Sequence, residues 1–200
     1  MLTEVVFILM AYLLGAVPFG YLFTKWFTGK NILELGSKSI GSTNVGRIAG
    51  KKIATFTQIC DMLKGLLPVS AILLLQKNNI ISFADYFIYL IALASIMGHN
   101  FSIFLKFKGG KGVNTTLGAS ILLAPLQVLV SVLIFFIVKW QTNYVSLGSI
   151  CLGISLPLTG LLFPVSSCCF YYLLTVSLLI IIMHSPNIGR LIKGKENRSE

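Results

Sequence analysis

Acidic side chains are scarce in this chain of 200 residues. Six Asp and Glu residues stand against sixteen Lys and Arg, and the aspartates are limited to Asp61 and Asp85. Enzymes that transfer phosphate groups between alcohols with a bound metal hold that metal with a cluster of aspartates. Two aspartates far apart in the chain do not supply such a cluster, so this reaction class is excluded.

Charged residues of either sign are also few. They make up 11% of the chain, whereas hydrophobic residues make up 56% and the mean hydropathy is +0.87. Apolar runs long enough to cross the roughly 30 Å of hydrocarbon in a bilayer recur along the sequence. This composition predicts a polytopic helical membrane protein. Basic cytoplasmic loops and anionic lipid headgroups then explain the net charge of +10, and no nucleic-acid partner is expected.

Two further absences narrow the possibilities. The first apolar run lacks the basic segment of a signal peptide, because Thr3 and Glu4 precede it, so we interpret it as a retained span. The cysteines lie in apolar segments and no pair has the spacing of a metal site, which predicts neither a disulfide nor a metal. No cofactor is expected.

Six apolar runs mark the candidate membrane spans: 5–23, 53–75, 83–97, 113–138, 145–163 and 165–183. Basic residues concentrate in three of the intervening or terminal segments, namely 24–52, 98–112 and the tail from 184. Because cytoplasmic loops are rich in Lys and Arg, all three segments are predicted to be cytoplasmic and the N-terminus to lie outside.

An even number of spans cannot satisfy this arrangement, because it returns both termini to one side. The conflict falls on the run 113–138, which is long for one helix and is interrupted at Ala124-Pro125. Splitting it there predicts two short helices of about a dozen residues each. The predicted fold is therefore an all-α bundle of about seven transmembrane helices, with the N-terminus outside and the C-terminus cytoplasmic, and residues 1–200 form a single domain.

The segment Lys106-Phe107-Lys108-Gly109-Gly110-Lys111-Gly112 is the most informative motif. It places three lysines and three glycines between two strongly apolar runs. Glycine lets backbone N–H groups approach an anion, and lysine supplies a point charge suited to phosphate. The alternative is a basic turn that touches lipid headgroups, but such a turn needs no special backbone conformation. The loop therefore predicts a phosphate site at a membrane surface.

Two further polar clusters fall on the same predicted cytoplasmic side. Residues 36–47 combine glycine, hydroxyl and amide groups without an acid, and they end at Arg47, which is suited to bind phosphate through two parallel hydrogen bonds. Residues 184–190 begin with His184 and include Asn187 and Arg190. The alternatives are an ordinary cytoplasmic linker for the first cluster and a structural interfacial histidine for the second.

Asp61 and Lys64 lie inside the second apolar run, three residues apart and hence on one face of a helix. Ionisable groups at membrane depth are costly unless they pair or face a polar cavity. We favour an intrahelical ion pair that braces the site from below over direct contact with a substrate.

Together these clusters resemble the bacterial acyl-phosphate:glycerol-3-phosphate acyltransferase family, integral membrane enzymes of phospholipid synthesis. The resemblance spans nearly the whole chain and rests on three motifs in order: Gly-Ser-x-x-x-Gly-x-Thr-Asn ending at Arg47, His99 leading to Phe-Leu-Lys-Phe-Lys-Gly-Gly-Lys-Gly-Val113, and His184-x-x-Asn-Ile-x-Arg-Leu-x-x-Gly-x-Glu196. The Asp61-x-x-Lys64-Gly65 element and Tyr144-Val145-Ser146 belong to the same resemblance.

Five positions depart from the family pattern. Lys38 and Ser39 stand where glycine and asparagine are usual, and Ser185 replaces an arginine. Ser42 and Asn114 each replace an alanine, one in the first motif and one shortly after the glycine loop.

The resemblance implies transfer of a fatty acyl group from acyl phosphate to the 1-hydroxyl of sn-glycerol 3-phosphate. The products are 1-acyl-glycerol 3-phosphate, a lysophosphatidic acid, and phosphate, in the first acylation of phospholipid synthesis. It also implies a multi-pass protein of the bacterial inner membrane, surrounded by membrane lipid, with its active site facing the cytoplasm. The enzyme that produces acyl phosphate is a candidate partner.

Residue roles follow from the same resemblance. Glycerol 3-phosphate is assigned to the lysine side chains and glycine amides of Lys106, Lys108, Gly109, Gly110, Lys111 and Gly112. The acyl-phosphate group is assigned to Ser37, Thr43, Asn44 and Arg47. Orientation of the acceptor or the leaving phosphate is assigned to His184 and Asn187, and a further phosphate contact to Ser146. Structural roles are assigned to Asp61, Lys64 and Glu196.

Catalytic participation is expected of Ser37, Arg47, Lys106, His184 and Asn187. The base that removes the proton from the acceptor hydroxyl stays open between His184 and the phosphate of the donor.

Other protein classes fit less well. Soluble-type glycerolipid acyltransferases carry an aspartate five residues after a histidine, but Phe104 and Gly189 occupy those positions after His99 and His184. A transporter of phosphorylated solutes more often has repeated halves, and no repeat stands out in this sequence. A non-catalytic lipid-binding membrane protein is the remaining alternative.

Overall fold

The computed structural model describes residues 2–198, and its regular structure within that range is entirely helical. It divides into two compact units, one that ends at Leu122 and one that begins at Leu123. The all-α prediction is therefore confirmed.

The first unit contains the helices α1 (Leu2–Ala16), α2 (Phe19–Thr28), α3 (Ser42–Ala49), α4 (Lys51–Lys77), α5 (Phe87–Asn100) and α6 (Val113–Ser120). The predicted first span, 5–23, is interrupted at Val17-Pro18. Proline has no backbone N–H and disfavours helical conformation in the residue before it, so α1 ends at Ala16 and the chain re-enters a helix at Phe19.

Glycines let the helices of the first unit pack at very short range. A methyl group on Gly98 of α5 would overlap the carbonyl oxygen of Tyr12 in α1. A methyl group on Gly118 of α6 would overlap the carbonyl oxygen of Met62 in α4. Small residues at such contacts are how membrane helices bring their backbones together. The ends of α5 and α6, between which the glycine loop lies, are thus held firmly against α1 and α4.

The second unit contains the helices α7 (Pro125–Thr142), α8 (Val145–Leu162), α9 (Ser167–Met183) and α10 (Ser185–Ile192). Pro125 occupies the first turn of α7, where its missing N–H has no intrahelical acceptor to lose. Ser166 caps α9, since its hydroxyl accepts a hydrogen bond from the N–H of Cys169 at 3.2 Å. The axes of α9 and α10 differ by 57° at His184.

Five helical segments of residues 2–198 are long and apolar enough to cross a membrane, and the bent pair of α9 and α10 is a sixth if it counts as one span. The predicted helix break in the run 113–138 is confirmed, because turns separate α6 from α7 at residues 121–124. The two halves are unequal, however: α6 has 8 residues and α7 has 18. A helix of 8 residues is about 12 Å long, so α6 by itself covers less than half of the roughly 30 Å of hydrocarbon in a typical bilayer.

Candidate active site

The lysine–glycine loop (Lys106–Gly112) joins α5 to α6 in the first unit. Lys106 and Phe107 both have a left-handed backbone, with φ angles of 53° and 63°. Each such conformation costs a non-glycine residue about 1–3 kcal/mol, and such costs concentrate at functional sites. The side chains of Lys106 and Lys108 are exposed at the outer edge of the loop. Two cationic groups are therefore available to an anion.

Backbone hydrogen bonds fold this loop onto the end of α5. The N–H of Gly109 donates to the carbonyl oxygen of Asn100 at 3.1 Å, and the N–H of Gly110 donates to that of His99 at 3.0 Å. A methyl group on Gly110 would overlap the imidazole of His99. The sequence assigned the amides of both glycines to phosphate. In the structure both amides instead donate to carbonyl oxygens at the end of α5. Glycine is needed at both positions because a side chain there would overlap α5.

A buried ion pair lies beside the same loop. Lys64 Nζ is 2.9 Å from Asp61 Oδ1, and both side chains are at most 2% exposed. The ammonium group also donates to the carbonyl oxygen of Val17 at 3.0 Å. His99 Nδ1 lies 3.6 Å from Asp61 Oδ1, close enough for electrostatic attraction but beyond a hydrogen bond. The predicted Asp61–Lys64 ion pair is confirmed. Asp61 also lies near the imidazole of His99, which packs against Gly110 of the glycine loop.

Polar groups without a partner surround the start of α6. Within residues 2–198, neither the amide oxygen nor the amide nitrogen of Asn100 has a hydrogen-bond partner, although the residue is buried. The hydroxyls of Thr115 and Thr116, in the first turn of α6, are likewise buried without one. Gly112, with φ of 77°, is the N-cap residue of α6 and lies against the Asn100 amide. Unpaired buried polar groups are rare in proteins, and this cluster marks a polar site.

The first motif is shaped by the side chain of Asn44. Its amide oxygen accepts from the N–H of Ser37 at 3.0 Å. Its amide nitrogen donates to the carbonyl oxygens of Leu35 at 3.1 Å and Ser39 at 2.9 Å. One side chain therefore closes the loop that precedes α3 and fixes the backbone at Ser37.

A small apolar cluster supports this loop. Ile32, Ile40 and Val45 are fully buried against one another, and Leu105, directly before the glycine loop, packs on the same cluster. Thr43 and Arg47 are exposed on α3. Among residues 2–198, no hydrogen bond or ion pair engages the Arg47 guanidinium, so its planar donors are available to a phosphate.

A side-chain hydrogen bond joins the first two motifs. Asn114 Nδ2, in the first turn of α6, donates to Ser42 Oγ, in the first turn of α3, at 3.2 Å. The first unit thus brings together the predicted site residues Ser37, Thr43, Asn44, Arg47, Lys106, Lys108, Gly109, Gly110, Lys111 and Gly112.

His184 lies in the second unit at the junction of α9 and α10, where it is 2% exposed. Its Nδ1 is 2.8 Å from the carbonyl oxygen of Ile180. A carbonyl oxygen accepts but does not donate, so Nδ1 carries the hydrogen and Nε2 is the basic nitrogen of the neutral ring.

The remaining predicted residues of the second unit meet at Glu196. Its carboxylate accepts hydrogen bonds from Asn187 Nδ2 at 2.7 Å, Ser146 Oγ at 3.0 Å and Arg190 Nε at 2.7 Å. The Glu196 side chain is 5% exposed, whereas that of Arg190 is 36% exposed. One carboxylate therefore orients the polar side chains of α8 and α10.

Burial raises the pKa of Glu196, but hydrogen bonds from Arg190, Asn187 and Ser146 outweigh it, so the pKa of this carboxyl lies below its usual value. A carboxyl with a depressed pKa stabilises the fold above its unfolded-state pKa of about 4.3, and this contribution is lost as the pH falls through the lower folded-state pKa. At pH values below about 4.3, we expect the melting temperature of the wild-type protein in detergent to decrease with falling pH more steeply than that of Glu196→Gln. Parallel acid limbs for the two proteins would contradict this linkage.

Some of these features escaped sequence reasoning. His99 and Asn100 lie a short distance before the glycine loop in the sequence, and that proximity is the one signal that pointed to them. Nothing in the spacing indicated that Asp61 approaches His99 or that Ser42 contacts Asn114. Among residues 2–198, no group of three or more His, Cys, Asp or Glu side chains is arranged to hold a metal ion.

Comparison with known proteins agrees with the motifs. A model of the family described as glycerol-3-phosphate acyltransferase matches residues 5–194. The glycerol-3-phosphate acyltransferase of Clostridium acetobutylicum is 37% identical over 197 residues, which cover 98% of this chain and 100% of that protein. The one from Endomicrobium trichonymphae is 40% identical over 198 residues, covering 99% of this chain and 96% of that protein.

Solved structures agree as well. The crystal structure of PlsY (YgiH), an integral membrane glycerol 3-phosphate acyltransferase, in its glycerol 3-phosphate form has a TM-score of 0.89 at 33% identity and covers 99% of this chain and 96% of that chain. Its lysophosphatidic acid form has a TM-score of 0.86 at 33% identity and covers 98% and 95%. Since the family model and the relatives align along nearly the whole sequence, this multi-pass membrane protein belongs to the glycerol-3-phosphate acyltransferase family.

Proposed function

We propose that this protein transfers a fatty acyl group from acyl phosphate to the 1-hydroxyl of sn-glycerol 3-phosphate. The observation that carries the proposal is that, within one unit, the helix that directly follows the lysine–glycine loop is hydrogen-bonded to a motif with an exposed arginine. Both substrates contain phosphate, so two adjacent cationic loops suit them. The forms of the similar PlsY structures, with glycerol 3-phosphate and with lysophosphatidic acid, support the acceptor and the product.

In the proposed step the 1-hydroxyl oxygen attacks the acyl carbonyl carbon. A new ester C–O bond forms, the bond between that carbon and the phosphate oxygen breaks, and the phosphate leaves with the electron pair. An acyl phosphate is already activated, so a protein nucleophile is dispensable. Positioning of the two substrates is then the main contribution of the protein.

The two loops of the first unit take different substrates in this proposal. Lys106, Lys108 and Lys111 bind glycerol 3-phosphate, while the loop glycines, Gly112 included, supply the close packing that shapes the loop. Arg47 and Ser37 bind the acyl-phosphate group and stabilise the charge that develops on the attacked carbonyl oxygen. Thr43, exposed beside Arg47, adds a hydroxyl donor, and Asn44 acts by fixing the backbone at Ser37.

The second unit contributes orienting residues in this proposal. His184 and Asn187 orient the acceptor or the leaving phosphate, and Ser146 adds a phosphate contact that Glu196 keeps in place. We assign the hydroxyl proton to the donor phosphate rather than to His184. The phosphate then leaves carrying that proton.

His184→Gln tests this assignment, because glutamine keeps a hydrogen-bonding group but cannot act as a base. General-base catalysis contributes about 10²–10⁴-fold to a rate. We expect a loss of kcat smaller than about tenfold, with the pH–rate profile of the wild type retained. A loss of about a hundredfold or more for Gln and Ala alike, in folded protein, would instead identify His184 as the base.

For the membrane arrangement we propose a multi-pass protein of the bacterial inner membrane whose whole chain is one acyltransferase domain, with about seven helices. The N-terminus lies outside, the C-terminus and the active site face the cytoplasm, and the enzyme that produces acyl phosphate is a partner. The basic residues of 24–52, 98–112 and the tail support this orientation.

A fluorescent protein that matures only in the cytoplasm should be fluorescent when fused to the C-terminus. A dark but full-length fusion would contradict the orientation.

One assay tests the proposed function directly. Purified protein is given labelled glycerol 3-phosphate with either acyl phosphate or acyl-CoA. We expect labelled lysophosphatidic acid from acyl phosphate alone. Product from acyl-CoA alone would overturn the proposed donor, and uptake of the label into proteoliposomes without acylation would overturn the enzymatic function.

A further inference from the structure

We propose that Ser42 and Asn114 form a positioning pair that sets the separation of the two phosphate-binding loops, and so controls turnover rather than the binding of either substrate. The inference rests on the proposed function, which assigns one substrate to each loop. Neither residue belongs to the set expected to contact a substrate.

The pair joins two helix starts that are far apart in sequence. Ser42 is the first residue of α3, and Asn114 is the second residue of α6. Asn114 Nδ2 donates to Ser42 Oγ at 3.2 Å across 72 positions of the chain. Both side chains are half-buried, which protects the bond from competition with water better than full exposure does.

Each loop has its own internal support, independent of this pair. The first motif is closed by the Asn44 amide, with hydrogen bonds to Ser37, Leu35 and Ser39. The glycine loop is held to α5 by the N–H groups of Gly109 and Gly110. Removal of the pair therefore leaves both loops formed, and each is expected to keep its affinity for its own substrate.

The separation of the loops is set by α4, on which α3 and α6 both pack, and by direct contacts between the two motifs. Leu105 packs on the cluster of Ile32, Ile40 and Val45, which is an apolar contact without directional preference. The Ser42–Asn114 bond adds a directional one. A displacement of about 1 Å between reacting groups can cost about a hundredfold in rate. A change in the separation of the loops thus lowers kcat while each substrate still binds.

The two side chains also satisfy each other at the junction of the two helix starts. An unpaired Asn114 amide or Ser42 hydroxyl at this half-buried contact would be unfavourable, so each residue accounts for the presence of the other.

A double-mutant cycle tests the pair with Ser42→Ala, Asn114→Ala and the double variant. We expect each single variant to lower kcat about tenfold and to leave the KM values for both substrates within about twofold. The double variant should have a kcat no lower than that of either single variant, whereas independent effects would multiply to about a hundredfold. Ser42→Thr keeps the hydroxyl and should retain most of the wild-type kcat.

Ser70→Ala and Asn78→Ala are matched controls in the same unit. Their side chains bond to carbonyl oxygens of their own helix, at Leu67 and Leu74 respectively. We expect these variants to leave kcat unchanged, singly and together. This comparison separates a specific coupling between Ser42 and Asn114 from the general cost of removing a serine hydroxyl or an asparagine amide.

Three results would overturn the positioning pair while the wild type stays active. Multiplicative losses of kcat would show that the residues act independently. A rise in KM with unchanged kcat would show that each serves its own loop, and a lower melting temperature with unchanged kinetics would show a packing role alone. An inactive but folded wild-type protein would instead overturn the proposed function, so the two failures are distinguishable.

Discussion

Arg47→Lys is expected to lower kcat/KM for acyl phosphate about a hundredfold or more while leaving the fold intact. The Arg47 guanidinium is exposed and unengaged by the residues that the structure describes. Arginine presents planar, parallel donors to a phosphate, whereas lysine presents a compact point charge. Loss of a donor that faces developing transition-state charge costs about 10²–10³-fold in kcat. Steady-state assays with saturating glycerol 3-phosphate measure this effect.

Arg198→Lys is the matched control, because it makes the same chemical change at an exposed arginine that contacts Tyr144. We expect it to keep wild-type kinetics. Circular dichroism and melting temperature should be unchanged in both variants, since α3 is held through Asn44 and the cluster of Ile32, Ile40 and Val45. If Arg47→Lys kept its activity within about twofold, the assignment of a two-pronged phosphate contact to Arg47 would be wrong.

Asp61→Asn is expected to cause the largest loss of stability. It leaves the Lys64 ammonium, 1% exposed, without its counterion, because the asparagine amide and the Val17 carbonyl are uncharged acceptors. Removal of one partner of a buried ion pair typically costs about 3–5 kcal/mol. Lys64→Met leaves the Asp61 carboxylate buried without its counterion, so it should lower the free energy of unfolding by a similar amount. Denaturant titration of the free energy of unfolding measures both changes.

The double variant Asp61→Asn/Lys64→Met removes both charges, and a buried ion pair replaced by uncharged groups is often close to neutral. We expect its free energy of unfolding to recover most of the loss. Turnover should recover less, because Asp61 also faces His99, whose carbonyl oxygen holds Gly110. Asp85→Asn and Lys77→Met are exposed controls that should change little. Additive losses in the double variant would contradict the pairing.

The sequence allowed the helical framework to be predicted where local signals are strong. Apolar runs located the long helices, and Pro125 located the break after α6 because proline is favoured in the first turn of a helix. Proline alone does not decide a break, since Pro68 and Pro157 lie inside α4 and α8. Pro18 gives the same signal, but apolar residues flank it on both sides, so the sequence predicted one continuous span where the structure has two helices. The lengths of α6 and α7 depend on where the turn at residues 121–124 packs, which local sequence does not encode.

The chemistry of the site was predictable in type but less so in geometry. Lysine, arginine and glycine in short motifs indicated a phosphate-binding site, because the residue types alone determine the charge of a motif and the conformational freedom of its backbone. The contacts of Asp61 with His99 and of Ser42 with Asn114 join residues that meet through helix packing, so no spacing rule reveals them. The engagement of the Gly109 and Gly110 amides likewise depends on how the loop folds back onto α5.

The close packing of Gly98 on Tyr12 and of Gly118 on Met62 has a consequence for genetics. Even alanine at either glycine would force two backbones apart, so such alleles should fail to complement a strain that depends on this gene. A growth screen would score these helix positions as severely as Arg47, although they touch no substrate. Measuring the amount of protein in the membrane beside growth would separate the two groups: the glycine alleles lose the protein, and the Arg47 alleles keep it.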